Sequence, residues 1–120
     1  MRGLVLLTGT LVAIASCGGD DPPTCKDSLT HYYGSGCVYS DGTTGMQLSL
    51  DDVIRRCQNE LSRAALDCRD EWGDFLVCNN EVPARAKTNA ECDCSPEQDA
   101  YLTCQPGGTS IGDVDRAEPL

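Results

Sequence analysis

Nine cysteines in a chain of 120 residues constrain the fold more than any other feature. The chain has only one Phe, one Trp and four Tyr, so it can bury little apolar surface, and covalent or metal reinforcement is expected. Cysteines pair as disulfides in an oxidising compartment, whereas the same number in the cytosol would suggest bound metal. The N-terminal segment therefore decides how the cysteines are interpreted.

The first sixteen residues have the layout of an export signal. A short basic start, Met1 to Gly3, precedes an apolar run from Leu4 to Ala15 that only Thr8, Gly9 and Thr10 interrupt. This run is about a dozen residues long, whereas a helix that crosses the hydrocarbon core needs about 20. We therefore interpret residues 1–16 as a signal peptide that directs the chain to an oxidising compartment.

The segment Ile14-Ala15-Ser16-Cys17 resembles the lipobox of bacterial lipoproteins, in which an aliphatic residue and two small residues precede a cysteine. The resemblance covers residues 1–17. It implies that the Cys17 thiol receives a diacylglyceryl group and that signal peptidase II cleaves before it. The alternative is an ordinary secretory signal cleaved elsewhere. Cysteine parity favours the lipobox, because removing Cys17 leaves eight cysteines, which can pair completely.

Residues 17–24 are predicted to be a lipidated flexible tether, because the run from Gly18 to Pro23 cannot bury anything. In enterobacterial lipoproteins an Asp directly after the lipidated cysteine retains the protein at the inner membrane. This chain has Gly18 there, so the resemblance favours the outer membrane. As a whole, the chain resembles small cysteine-rich lipoproteins of myxobacteria, which combine a lipobox, an acidic tether and helical cysteine pairs.

The net charge of −10 becomes −11 once the leader, which carries Arg2 and no acid, is removed. Such a charge repels phosphate backbones, so nucleic acid is excluded as a partner. The predicted partners are the membrane, reached through the lipid on Cys17, and an unidentified envelope protein.

Capping and periodicity predict a mostly α domain over residues 25–105. Thr24 with Asp27 predicts the first cap, and Ser49 with Asp52 predicts the second. An apolar stripe that begins at Leu50 and ends near Cys78 predicts one long helix. Ser95-Pro96-Glu97-Gln98 predicts the start of the last helix, with Ser95 as its N-cap, Pro96 at the first helical position and Gln98 as the capping-box partner. The predicted elements are helices over 25–33, 50–79 (kinked near Gly73) and 95–104, turns over 38–48, and a disordered acidic tail over 106–120. No internal repeat is evident.

Four cysteines share one spacing: nine residues separate Cys68 from Cys78, and nine separate Cys94 from Cys104. Over residues 68–104 the chain therefore resembles the twin C-x9-C helical-hairpin proteins, which carry two disulfides across the helices. Each pair lies about 15 Å apart along its helix, so antiparallel packing sets Cys78 against Cys94 and Cys68 against Cys104.

The remaining four cysteines are harder to pair. In an unbroken helix Cys57 would lie about 31 Å from Cys78 and hence from Cys92, far beyond the reach of a disulfide. Cys57 is therefore assigned a partner from the N-terminal segment. Our predicted pairs are Cys37 with Cys57 and Cys25 with Cys92.

No catalytic, cofactor or metal site is predicted. The chain has no phosphate-binding glycine loop and no paired His ligands, and the single His31 is expected to be a surface or structural residue. Asp41, Asp113 and Asp115 stand in stretches with too few carboxylates for a calcium loop. The leading interpretation is a non-catalytic envelope lipoprotein that presents a rigid helical module for protein contacts or envelope structure.

Two alternatives remain open. One is a thiol-redox or metal-binding lipoprotein that uses Cys92-Asp93-Cys94, since two nearby thiolates can chelate soft metals or form a reducible disulfide. The other is a secreted-type inhibitor, a class in which disulfide-rich scaffolds are common.

Overall fold

The computed structural model describes residues 21–115, so the predicted signal peptide, Cys17 and residues 116–120 lie outside the described residues. The described part is mostly helical, as predicted. The elements are α1 (Cys25–Gly34), β1 (Tyr39–Ser40), α2 (Leu50–Arg63), a 3-10 turn (Leu66–Cys68), α3 (Arg69–Glu81), α4 (Ser95–Cys104) and β2 (Asp113–Val114). No helix within residues 21–115 combines the length and hydropathy needed to cross a bilayer.

The first two helices begin where their caps predict. The Thr24 hydroxyl accepts a hydrogen bond from Asp27 N at 3.0 Å, and the Ser49 hydroxyl accepts one from Asp52 N at 3.1 Å. Each bond satisfies a backbone donor that has no partner within its own helix. Past Gly34 the chain turns at Gly36, whose φ of 93° suits glycine.

The prediction of one long helix over residues 50–79 is wrong. Ala64 and Ala65 adopt extended backbone conformations and separate α2 from α3. Alanine favours helix, so neither of these residues predicts a break in the helix. Tertiary contacts stabilise it instead: Ala64 is buried, and Ala65 N donates to the Gln105 side chain at 2.9 Å.

Gly73, where a kink was predicted, lies inside the uninterrupted helix α3. A Cβ at this position would stand 3.3 Å from Cγ of Pro22. Gly73 therefore allows the segment that precedes α1 to lie close against α3.

Helix α3 is central, because α1 packs on one part of it and α4 on another, while α2 packs on α1. Aromatic rings fill the space between these elements. Tyr32 stacks on Tyr39 with ring centroids 4.6 Å apart, and Trp72 meets the edge of Tyr101 at 4.7 Å. Phe75 lies between the two pairs, in contact with Tyr39 and Trp72. Edge and stacked ring contacts of this kind add to area burial in a small core.

The helical hairpin is confirmed, with disulfides joining Cys68 to Cys104 and Cys78 to Cys94. Cys68 is the N-cap of α3 and Cys94 is the N-cap of α4. Each disulfide therefore joins the start of one helix to the C-terminal half of the other.

The two hairpin helices also share a sequence pattern that the sequence analysis missed. Residues 68–78 and 94–104 both read C-x-x-E-x-x-x-(F/Y)-L-x-C. Phe75 and Tyr101 occupy the aromatic position of this repeat, and both are fully buried. The repeat can be seen in the sequence, although it is short and its other positions differ.

The predicted pairing of the other four cysteines is wrong: Cys25 bonds to Cys57, and Cys37 bonds to Cys92. Cys57 does take an N-terminal partner, as expected. The end of α1, however, is held against the segment after α3. Tyr32 donates its hydroxyl to Cys92 O at 2.7 Å, and Ala86 N donates to Ser35 O at 3.0 Å. These contacts bring Cys37 to Cys92 and leave Cys25 for α2.

The prediction of a disordered tail from Pro106 is wrong for residues 106–115. Strand β2 pairs antiparallel with β1, with Val114 opposite Tyr39, and Ile111 is 1% exposed. The side chain of Gln98 accepts from Ile111 N at 2.9 Å and donates to Gly112 O at 3.2 Å. Gln98 was predicted to take part in capping α4. It fastens the C-terminal segment instead, and Cys94 rather than Ser95 is the N-cap.

Candidate functional site

An open groove lies between the C-terminal half of α3, the first turn of α4 and the segment that joins them. Its volume is about 450 Å³. We call it the acidic groove, and its lining residues are Asp74, Val77, Cys78, Glu81, Val82, Pro83, Glu91 and Glu97. The lining includes four carboxylates and no cationic side chain, so the groove is suited to a cationic ligand.

Helix periodicity places one wall of the acidic groove. Asp74, Cys78 and Glu81 follow one another at spacings of four and three residues, so they share one face of α3. Glu97 comes from the first turn of α4, where the positive end of the helix dipole favours an acid. The hairpin disulfide between Cys78 and Cys94 fixes these two helices to each other at the groove.

The connecting segment forms the opposite wall and is held in place by hydrogen bonds. His31 donates through Nε2 to Val82 O at 2.8 Å, so of the two expected roles the single histidine has the structural one. Glu91 accepts from Lys87 N at 2.6 Å and from Thr88 N at 3.2 Å, so its carboxylate orders its own turn. The groove is therefore built on a fixed backbone.

Two atoms at the acidic groove are chemically distinctive. The carboxylate atom Oε1 of Glu97 is buried and has no hydrogen-bond partner among the described residues. The Cys78 sulfur belongs to a partly exposed residue, whereas Cys94 is 1% exposed. The Cys78 side of this disulfide is thus the side that a reagent in the groove can reach.

A second cleft, of about 160 Å³, lies against a buried carboxylate on α2. Glu60 is 2% exposed, accepts a hydrogen bond from the Tyr101 hydroxyl at 2.6 Å and pairs with Arg63 at 2.8 Å. Burial, followed by the hydrogen bond to Glu60, raises the pKa of Tyr101. A Cβ at Gly108 would stand 2.8 Å from Glu60, so a glycine there lets the C-terminal segment close over the pair. This arrangement stabilises the fold of the C-terminal segment.

The remaining residues considered from sequence are dispersed. Asp41 accepts from the backbone N–H groups of Thr43 and Thr44, which, with Arg56, lower the pKa of its carboxyl. It thus organises a turn, as expected. Cys92 and Cys94 are not bonded to each other, because each belongs to a different disulfide.

Sequence reasoning did not single out Glu60, Tyr101 or Glu97 as site residues. The repeated C-x-x-E pattern was a signal for Glu97. Glu60 had none, because nothing local distinguishes a buried helical Glu from an exposed one.

None of the known protein families, curated proteins or solved structures compared with this chain matches it. The acidic groove must therefore be interpreted from its own chemistry.

Proposed function

We propose that this protein is a lipoprotein of the bacterial cell envelope that binds another envelope protein and catalyses no reaction. In this proposal Cys17 carries the lipid, the outer membrane is favoured by Gly18, and the disulfide-bonded helical domain presents the acidic groove to a basic segment of the partner. The observation that carries the binding role is the charge of the groove, which lines a fixed surface with four carboxylates.

The position of the N-terminal segment supports a role close to the membrane. Pro22 lies against Gly73 on α3, and only four residues separate it from Cys17. The five residue steps from Cys17 to Pro22 span at most about 17 Å, so a lipid on Cys17 would hold the α3 face near the bilayer. A separate cleft on the α3 face is lined by Pro22, Asp74 and Val77. Asp74 and Val77 also line the acidic groove, so the groove would lie near the membrane as well.

The lipid anchor is tested by changing its attachment residue. The native chain is expected to incorporate labelled palmitate and to partition into detergent, whereas Cys17→Ser should do neither, because the thiol that accepts the lipid is gone. A Cys17→Ser protein that is still cleaved and still partitions into detergent would refute the anchor.

The binding role is tested by crosslinking in intact cells, with identification of the captured protein by mass spectrometry. Asp74→Asn together with Glu81→Gln removes two groove charges from exposed positions and should abolish the specific crosslink at unchanged protein level. Asp99→Asn, an exposed change on α4 outside the groove, is the matched control and should leave the crosslink intact. Equal crosslinking in all three proteins would rule the groove out as the binding surface.

A further inference from the structure

We propose that reduction of the Cys78–Cys94 disulfide by a dithiol creates a binding site for a zinc-like divalent cation, with Cys78, Cys94 and Glu97 as ligands. This inference is independent of the lipid anchor and of the proposed protein partner. It rests on the geometry and chemistry of three side chains at the acidic groove.

Two of the three ligand atoms are the bonded sulfurs of Cys78 and Cys94, and a carboxylate oxygen of Glu97 lies close to both. One ligand atom from each, two sulfurs and a carboxylate oxygen, all lie within 4.8 Å of one another. In a tetrahedral zinc site, sulfur lies about 2.3 Å and oxygen about 2.0–2.2 Å from the metal, so ligand atoms stand roughly 3.5–3.8 Å apart. Once the disulfide opens, the two sulfurs must separate to this distance and the Glu97 oxygen must stay within reach of both, which the 4.8 Å limit allows.

The other end of the hairpin lacks this spacing. The repeat places Cys68, Glu71 and Cys104 in the corresponding positions, yet among the described residues only Cys78, Cys94 and Glu97 form a three-ligand set within that distance. The hairpin thus supplies its own control: the same residue types in the same pattern, without the convergence.

The oxidised protein leaves Glu97 in an unfavourable state. Its Oε1 is buried without a hydrogen-bond partner, which costs free energy that a bound cation would recover. Oε1 of Glu71 is in the same state, so what distinguishes Glu97 is its approach to two sulfurs and not the missing partner. Reduction makes the need for a cation stronger, because two thiolates would then share the site with a carboxylate. Three negative charges within 4.8 Å repel one another, and protons or a divalent cation must compensate them. Thiolates select soft or borderline metals such as zinc, rather than magnesium or calcium.

The reduction step follows from which sulfur is accessible. A thiolate of the dithiol attacks Sγ of the partly exposed Cys78, and the sulfur of the buried Cys94 leaves as a thiolate. Cys94 is the N-cap of α4, a position that stabilises a thiolate and so assists its departure. The second thiol of the reductant then attacks the mixed disulfide, releases Cys78 and closes its own disulfide. Two electrons and two protons reach the protein, and a binding cation displaces the two thiol protons.

The proposal is tested on the full chain carrying Cys17→Ser, which removes the ninth thiol. The protein is treated with a dithiol, the dithiol is removed under nitrogen, and opened disulfides are mapped by alkylation and mass spectrometry. Co²⁺ then serves as a spectroscopic substitute for Zn²⁺, and thiolate-to-cobalt charge-transfer absorption reports binding. We expect one equivalent of Co²⁺ to bind once Cys78–Cys94 is open, and none to bind the oxidised protein.

The matched variants are Glu97→Gln and Glu71→Gln. Loss of a ligand should weaken Zn²⁺ binding by at least about tenfold in Glu97→Gln, whereas Glu71→Gln should bind like the parent. Equal affinity in the parent and both variants, or charge-transfer absorption in the oxidised protein, would overturn the site. The double change Cys78→Ala with Cys94→Ala tests whether the domain survives opening of this disulfide. Retained helical circular dichroism supports the proposal, and loss of the helical signal refutes it.

Discussion

At the residue scale, Gly108 shows how closely the C-terminal segment approaches the buried Glu60. A Cβ on Gly108 would lie 2.8 Å from Glu60 Oε2 and 3.1 Å from Gln105 O. We expect Gly108→Ala to lower the free energy of unfolding by about 1–3 kcal/mol, measured by denaturant titration, because these atoms are held by other bonds. Gly107→Ala is the control, since its Cβ would meet nothing within 4 Å. Equal stability losses in the two variants would contradict this account.

The buried tyrosines predict a loss of stability at alkaline pH. Burial raises the pKa of Tyr32, Tyr39 and Tyr101 above the ordinary value near 10. Their contribution is fully present below that ordinary value and is lost as the pH rises above it, because tyrosines of the unfolded chain then release protons that the folded chain retains. Denaturant titrations of the Cys17→Ser protein between about pH 9 and about pH 11 should show a falling free energy of unfolding. A flat profile over this range would refute the prediction.

At the scale of elements, one side chain of α4 orders the C-terminal segment. Gln98→Ala would leave Ile111 N without its side-chain acceptor, whereas Gly112 O would keep the Ser110 hydroxyl as a donor. We expect a loss of about 1–3 kcal/mol and faster amide exchange at Ile111, with the helical circular dichroism unchanged. Asp99→Ala, at an exposed neighbouring position, controls for loss of a helical side chain. Unchanged exchange at Ile111 in Gln98→Ala would show that β-pairing alone holds the segment.

At the scale of the whole molecule, the four disulfides differ in accessibility. All four cysteines of the Cys25–Cys57 and Cys37–Cys92 disulfides are at most 3% exposed. Each hairpin disulfide has one partly exposed cysteine, Cys78 or Cys104. We expect limited dithiol to open the two hairpin disulfides first, because exchange requires access to a sulfur. Alkylation at successive times, followed by mass spectrometry, would measure the order. Earlier opening of Cys37–Cys92 would contradict the buried arrangement.

The same molecule also shows which sequence signals are dependable. Thr24 and Ser49 fix the starts of α1 and α2 through bonds to residues three positions away, which any chain with that pattern can form. The hairpin disulfides follow from helix geometry and a single spacing. The break at Ala64 and Ala65 has no local cause, since its partner Gln105 lies forty residues further along.

By itself the sequence determined the mostly helical class, the caps of α1 and α2 and the pairing of the hairpin disulfides, because short-range bonds and helical periodicity decide these features. Only the tertiary structure decided that Cys37 meets Cys92, that Gln98 secures the C-terminal segment and that Glu97 converges with Cys78 and Cys94. Each of these contacts joins segments whose approach depends on how the helices pack. Packing is a property of the whole core, and no local pattern in this chain encodes it.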